Sequence, residues 1–257
     1  MSNLPYNKAI RPGDIKVFKI YGRNGTSVDL STAIGEFYYY ESILSNTVTA
    51  TVAFIDSGFE VAGKKRTRTS GIVDDLELVG GEEVEFEVVD NQDTGGGEIT
   101  SEIGDSDKMY IKSITNVATT VSKKVFILEL VSKEYWVNES VRVTKRYDGN
   151  PGDHVKSILS DLLGVTEAEV ENSSYDYSFI GNTKKPLYTC TWLASKSSTS
   201  KVASDDAKKG SLLGATAGFF FYQTRDKYYF QSVDTLSAQP VEEGRDFIYN
   251  NTGKKVR

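Results

Sequence analysis

Residues 36–57 read EFYYYESILSNTVTATVAFIDS: a tyrosine-rich run, a polar turn, then a run of alternating β-branched residues. In the second run Val48, Ala50, Val52 and Phe54 fall on one face of a strand and Thr49, Thr51, Ala53 and Ile55 on the other, because successive strand side chains point to opposite faces. Neither face is wholly polar, so this sheet is expected to be partly covered on both sides. Nothing in the stretch looks catalytic. In the first run Tyr38 and Tyr40 share one face and Tyr39 takes the other, which makes both faces aromatic and amphipathic, a composition enriched in protein interfaces. Tyr38, Tyr39, Tyr40 and Glu41 are therefore candidate subunit-contact residues. The bland alternative is that the three tyrosines cap the core of their own sheet.

Outward from this stretch, residues 14–21 (DIKVFKIY), 82–89, 109–116 and 124–131 show the same short apolar or β-branched alternation, separated by clusters of Gly, Asn, Asp and Ser. In EEVEFEVV, Val84, Phe86 and Val88 face one way and Glu83, Glu85 and Glu87 the other. The apolar side belongs to a core, and the acidic side is wet or meets a basic partner. Residues 63–71 (GKKRTRTSG) form a basic loop, and Lys64, Lys65, Arg66 and Arg68 are candidates to meet the Glu83, Glu85, Glu87 face of a neighbouring subunit. Residues 91–107 read as a flexible loop. Its Gly95-Gly96-Gly97 run lacks the helix and the Lys-Ser/Thr of a phosphate-binding loop.

The pattern changes at residues 147–152 (YDGNPG). Asp153 reads as an N-cap, and Val155, Ile158, Leu159, Leu162 and Leu163 form the stripe of an amphipathic helix that stops at Gly164. A second helix is expected from Pro186, with Leu187, Cys190, Leu193 and Ala194 on one side and Trp192 beside them. Residues 195–210 read as a mobile loop, and residues 219–222 and 228–233 as a hairpin around QTRDK. The fold class is therefore mainly β with an α+β second region. Residues 246–249 (DFIY) look like a strand without partners, so Phe247 and Tyr249 are expected to pair with a neighbouring subunit or with further sequence.

The chain has 257 residues, 30 basic against 36 acidic, for a net charge of −6. That balance disfavours specific nucleic-acid binding, whose affinity rests on neutralising phosphates. One cysteine excludes an internal disulfide, no apolar run has transmembrane length, and the chain reads as made in a reducing cytoplasm. Fifteen Tyr and twelve Phe against two Met suit broad packed β faces. With one His and one Cys, the usual transition-metal clusters are excluded, and no cofactor is implied. The single histidine, His154, reads as a solvated residue of a first helical turn rather than part of a Ser/His/Asp set, since no G-x-S-x-G run is present. Paired carboxylates of a glycosidase are conceivable in composition, but the acids sit in alternating strand positions and polar loops. The alternative function is a carbohydrate-binding β-rich module, with Tyr38, Tyr39, Tyr40 or Trp136 as stacking platforms.

Segments 40–57 (YESILSNTVTATVAFIDS), 77–88 (ELVGGEEVEFEV), 126–149 (FILELVSKEYWVNESVRVTKRYDG) and the pair KPLYTCTWLASKS and GFFFYQTRDKYYFQSVDTL occur in an order that resembles the baseplate hub proteins of T-even-type contractile-tailed phages, including those of cyanobacterial phages. The resemblance implies a tail-tube-like β-barrel over residues 1–147 followed by a small helix/hairpin domain over 148–235. Family members carry a second such barrel, so residues 236–257 are expected to begin one. It further implies a structural virion protein without enzymatic activity. Such a protein forms a homotrimer that acts as a pseudo-hexameric ring joining tail tube to spike, and is assembled in the bacterial host cytoplasm without membrane contact.

Overall fold

The computed structural model describes residues 13–56, 71–89, 98–120, 123–199 and 218–239. The first half is β1 (Asp14–Tyr21), β2 (Ser27–Asp29), a single 3-10 turn at Ser31–Ala33, β3 (Ile34–Tyr40), β4 (Thr49–Asp56), α1 (Ile72–Asp75), β5 (Glu83–Val89), β6 (Glu98–Thr100), β7 (Met109–Thr119) and β8 (Lys124–Val131). The second is α2 (Lys133–Ser140), β9 (Arg146–Tyr147), α3 (Pro151–Ile158) widening into a π turn at Leu159–Leu163, β10 (Ala168–Val170), β11 (Phe179–Ile180), α4 (Pro186–Ala194), β12 (Phe219–Gln223), β13 (Tyr228–Ser232) and α5 (Val233–Ser237). The chain is mainly β, with all its helices but the four-residue α1 in its second half, broadly as the alternation and its change near residue 150 predict.

The larger sheet has eight strands in the order β2-β1-β5-β7-β8-β4-β3, with β6 beside β5, and its ladders are antiparallel. The ladder is open between β2 and β3, yet these strands are two halves of one chain run. Only Leu30–Ala33 separates them, and four residues reach at most roughly 14 Å. The sheet must therefore curl until its two ends meet. The rings confirm the curl: Phe37 and Tyr39 of β3 lie 5.0 and 6.4 Å from Phe86 of β5, four places away in the ladder order. Inside the curl one apolar cluster gathers Phe18, Ile20, Val52, Phe54, Val84, Phe86, Ile111 and Leu128 with their neighbours. Val48, Ala50, Val52 and Phe54 point inward as their spacing requires, and Glu83, Glu85 and Glu87 point outward.

A second cluster is built from Val143, Tyr147, α3, α4 and the β12–β13 hairpin. Pro186 opens α4, and Leu187, Cys190, Leu193 and Ala194 are buried. Burial pushes the Cys190 thiol well above its usual pKa. Gly164 ends α3 and its π turn in the left-handed region at φ 70°.

Other expectations fail here. Asp153 is not the cap. The helix begins at Pro151, and Asn150 caps it by accepting from the Gly152 N–H at 3.1 Å; proline fits the first turn, where its missing N–H has no helical partner to lose. His154 is not solvated. It is 4% exposed, packed edge-on against Tyr147 and Phe179, with Nε2 3.0 Å from the Tyr177 carbonyl oxygen. A carbonyl only accepts, so that nitrogen carries the proton. β2, β6, β9, β10, β11, α1, α2 and α5 have no counterpart in the sequence reading, and β6 falls within the expected 91–107 loop. The expected loop at 195–210 is described only to Thr199.

Candidate assembly surface

β3 pairs with β4 and stands at the end of the ladder order. On its outer face Tyr38 and Tyr40 are 48% and 50% exposed and stack on each other, ring centroids 6.3 Å apart. Tyr39 turns inward against Phe86, so the run divides by strand period: one tyrosine for the core and two for the surface. Glu36 beside Tyr38 raises that phenol, and burial followed by Glu41 raises Tyr39, so both remain neutral donors. The strip continues into the turn after β3, where Ile43 and Leu44 are 47% and 80% exposed. In the sequence this pair sits in what reads as a polar turn, and only its exposure in the structure marks it as surface.

Glu41 looks the other way. Its Oε1 accepts the Arg225 backbone N–H at 2.6 Å, at the tip of the β12–β13 hairpin. The tip is held to the curled sheet in several further places. The Arg225 guanidinium donates to the Glu98 carbonyl at 2.7 Å, and the Arg225 carbonyl accepts from Gly104 N–H at 2.8 Å. Buried Gln223 accepts from Val48 N–H at 3.1 Å and donates to Glu134 Oε2 at 2.9 Å. Sequence patterns do not reveal this clamp, because its partners are far apart in the chain and most are backbone groups.

The acidic face of β5 is less bare than its composition implies. Glu83 pairs with Lys108 at 2.8 Å and Glu85 accepts from the Tyr21 hydroxyl. Lys19 and Lys108 lie over the Tyr21 ring at 4.9 and 4.4 Å. Glu87 stands opposite Val17 and Thr100. The Gly-Gly-Glu turn before β5 is structural. Gly80 and Gly81 adopt φ of 114° and 89°, and a Cβ on Gly81 would lie 2.9 Å from the Trp136 ring. Buried Glu82 folds back to accept from Val79 and Gly80 N–H. Trp136 thus covers a turn with one part of its ring while 41% of it stays exposed. Lys64, Lys65, Arg66, Arg68, Phe247 and Tyr249 lie outside the described residues.

Among the described residues no group of three or more His, Cys, Asp or Glu is placed to hold a metal ion, and no helix is long and apolar enough to cross a membrane.

No family model and no curated protein matches this chain. Solved structures do. The 43 kDa tail protein of prophage MuSo2 from Shewanella oneidensis is 9% identical with a TM-score of 0.49, covering 84% of this chain and 53% of its own. A tail protein from Neisseria meningitidis MC58 is 8% identical with a TM-score of 0.47, covering 86% and 51%. The E. coli c3393 protein is described as a type VI secretion system component structurally similar to the T4 bacteriophage tail proteins gp27 and gp5. It is 10% identical with a TM-score of 0.37, covering 72% and 40%. The chain spans about half or less of the length of each, and these similar structures are tail proteins and a secretion-system component.

Proposed function

We propose that this chain is a structural component of a contractile phage tail, a baseplate hub protein that assembles with itself into a ring between tail tube and spike and carries no catalytic step. The observation that carries the reading is the exposed apolar strip of Tyr38, Tyr40, Ile43 and Leu44 on the outer face of β3 and the turn after it. Exposed apolar side chains in a contiguous row mark interaction sites. The ordered segments that resemble the hub family supply the identity of the assembly. In this reading residues 1–147 form the barrel unit and 148–235 the intervening unit, and Lys64, Lys65, Arg66, Arg68, Glu83, Glu85, Glu87, Phe247 and Tyr249 remain candidate contacts. The test is light scattering and negative-stain microscopy of the purified full chain. A trimer with ring-shaped particles, lost in the Tyr38→Ala, Tyr40→Ala double variant, supports it. A chain that stays monomeric at every concentration overturns it.

A further inference from the structure

A cleft of about 140 Å³ lies between α4 on one side and β11 with the loop after it on the other. Tyr188 and Trp192 stand four residues apart on α4 and so share one helix face, which forms the first wall. Phe179 and Ile180 of β11 line the second, together with Asn182 and Lys184, which are both exposed. The Phe179 and Trp192 rings meet at 69° with centroids 5.4 Å apart. Lys184 Nζ lies 5.9 Å from the centroid of the Tyr188 ring. Tyr188 and Ile180 are 56% and 67% exposed, so the cleft is open to solvent.

The loop that carries Asn182 and Lys184 has its shape fixed by backbone bonds. Gly181 N–H donates to the Lys145 carbonyl at 2.8 Å, Thr183 N–H to the Val143 carbonyl at 3.0 Å, and Val143 N–H to the Lys184 carbonyl at 2.9 Å. A Cβ on Gly181 would lie 2.7 Å from the Val143 carbonyl, so this close approach requires glycine. Thr183 then adopts φ 61°, in the left-handed region that β-branched residues avoid. Such a conformation persists only where its surroundings over-determine it, and it is found preferentially at binding sites.

We infer that this cleft binds a sugar ring that carries a carboxylate, a uronic acid unit of a longer glycan. The lining belongs to a single copy of the chain, so the inference is independent of how the chain assembles. Size sets the scale. Sites that enclose a whole drug-sized ligand measure about 300–1,000 Å³, and this cleft, at about 140 Å³, seats one ring while the rest of the ligand stays in solvent. The mixed lining selects the kind of ring. Aromatic side chains suit the C–H face of a pyranose, and an amide such as that of Asn182 both donates and accepts, as ring hydroxyls require. The Asn182 amide, the Tyr188 hydroxyl and the Trp192 indole N–H make no hydrogen bond to another described residue. A purely aliphatic occupant would cover these polar groups without pairing them, which is costly.

Charge selects the carboxylate. Lys145 and Arg146, on the segment that faces β11, hold Asp161 and Asp148 at 2.7 Å each, and Lys185 holds Glu139. Lys184 differs from these neighbours: among the described residues it makes no ion pair, and no acidic residue lines the cleft. An ammonium beside an aromatic wall and without a counter-ion of its own matches a single carboxylate, and a hydrogen bond between charged partners is about twice as strong as a neutral one.

The test titrates the full chain by calorimetry with two uronate probes of different ring stereochemistry, trigalacturonate and a hyaluronan tetrasaccharide, and with maltotriose as the uncharged control. At least one uronate probe should bind saturably, with a preference of about tenfold or more over maltotriose, which is about 1.4 kcal/mol, and added salt should weaken it. Lys184→Ala should remove the preference and Tyr188→Ala should weaken binding outright. Both side chains are exposed, so the melting temperature of each variant should stay that of the unaltered chain. Absence of saturable binding by either uronate probe at roughly 10 mM, ten times the concentration that half-fills a site of about 4 kcal/mol, overturns the inference. Equal affinity for maltotriose overturns it too, as does uronate binding that survives Lys184→Ala. Uridine monophosphate that binds through Lys184 where no uronate does would make the cleft a nucleotide site and overturn it equally. None of these outcomes bears on the oligomeric state, which light scattering reads separately.

Discussion

Gln223→Ala removes the side chain that ties the β12–β13 hairpin to the curled sheet. Gln223 is 2% exposed, Glu134 8% and Val48 0%. Truncation leaves a buried Glu134 oxygen without its 2.9 Å donor and the Val48 N–H without its 3.1 Å acceptor. A hydrogen bond to a charged group contributes about 1.5–3 kcal/mol, and an orphaned buried donor costs about 1–3 kcal/mol. The expected loss is therefore roughly 3–5 kcal/mol, against a typical domain stability of about 5–15 kcal/mol. Urea unfolding, followed by circular dichroism and by the fluorescence of Trp136 and Trp192, measures it. Gln223→Glu sharpens the test, because it keeps the shape but sets a second carboxyl against Glu134. Burial and the like charge raise the introduced group's folded pKa. Its penalty is then full at neutral pH, where the unfolded chain ionises freely. It fades as pH falls toward the unfolded carboxyl value, where protonation restores a donor. A loss below about 1 kcal/mol for Gln223→Ala, or a Gln223→Glu deficit that is the same at neutral and acid pH, would refute the clamp.

His154→Ala should cost about 2–4 kcal/mol in the same unfolding assay, from the lost ring packing against Tyr147 and Phe179 and the orphaned Tyr177 carbonyl. Asn150→Ala should cost about 1 kcal/mol as a lost N-cap, whereas exposed Asp153→Ala should stay within about 0.5 kcal/mol; equal costs would contradict the cap assignment. For Glu171, burial alone would raise the pKa, but the Thr235 hydroxyl, the Ser232 N–H and the hydroxyls of Thr199 and Ser232 outweigh it and hold the carboxyl below the usual value. A depressed folded pKa gives stability that is present above the ordinary Glu pKa and lost as pH falls through the folded one. Glu171→Gln should therefore flatten the acid side of a stability–pH curve, and an unchanged acid slope would count against this role.

The strands were legible because their faces differ. From Glu83 to Val88 and from Val48 to Phe54 the residues alternate in character, and the structure turns inward the side the period selects. α4 and the aromatic hairpin were legible for similar reasons: a proline start with an apolar stripe, and two aromatic runs around a polar turn. What was not legible lacked a period. β2 and β6 are three residues each, too short to alternate. In α2, KEYWVNES, the apolar residues are consecutive rather than spaced, and the helix is fixed instead by contacts such as Asn138 Oδ1 accepting from Leu187 N–H. His154 was misread because its polarity was weighed above its position. It stands four residues before Ile158, on the buried stripe of α3, and the stripe decides. Asp153 was misread because it directly precedes the stripe, although Pro151 already marks the first turn. At the candidate surface the split of Tyr38 and Tyr40 from Tyr39 follows from period alone, whereas the position of β3 at the end of the ladder is known only once strand order is.

The strip on β3 and the second core are mechanically adjacent. The turn that carries Ile43 and Leu44 begins at Glu41, whose carboxylate accepts from Arg225 N–H, and continues to Ser45, whose carbonyl accepts from Gln223 N–H at 3.4 Å. Gln223 and Arg225 belong to a hairpin whose Phe221, Tyr228 and Phe230 are buried in the cluster with α3 and α4. A partner seated on Tyr38, Tyr40, Ile43 and Leu44 therefore presses on a turn braced by backbone N–H groups of a hairpin rooted in the other core. Displacing that turn would break the exposed Glu41–Arg225 bond and leave the buried Gln223 N–H without its acceptor, and an orphaned buried donor costs about 1–3 kcal/mol. That brace explains why a row of exposed apolar residues can sit on a connection that is otherwise short and polar: the turn is held in place before any partner arrives, so little ordering cost falls on binding.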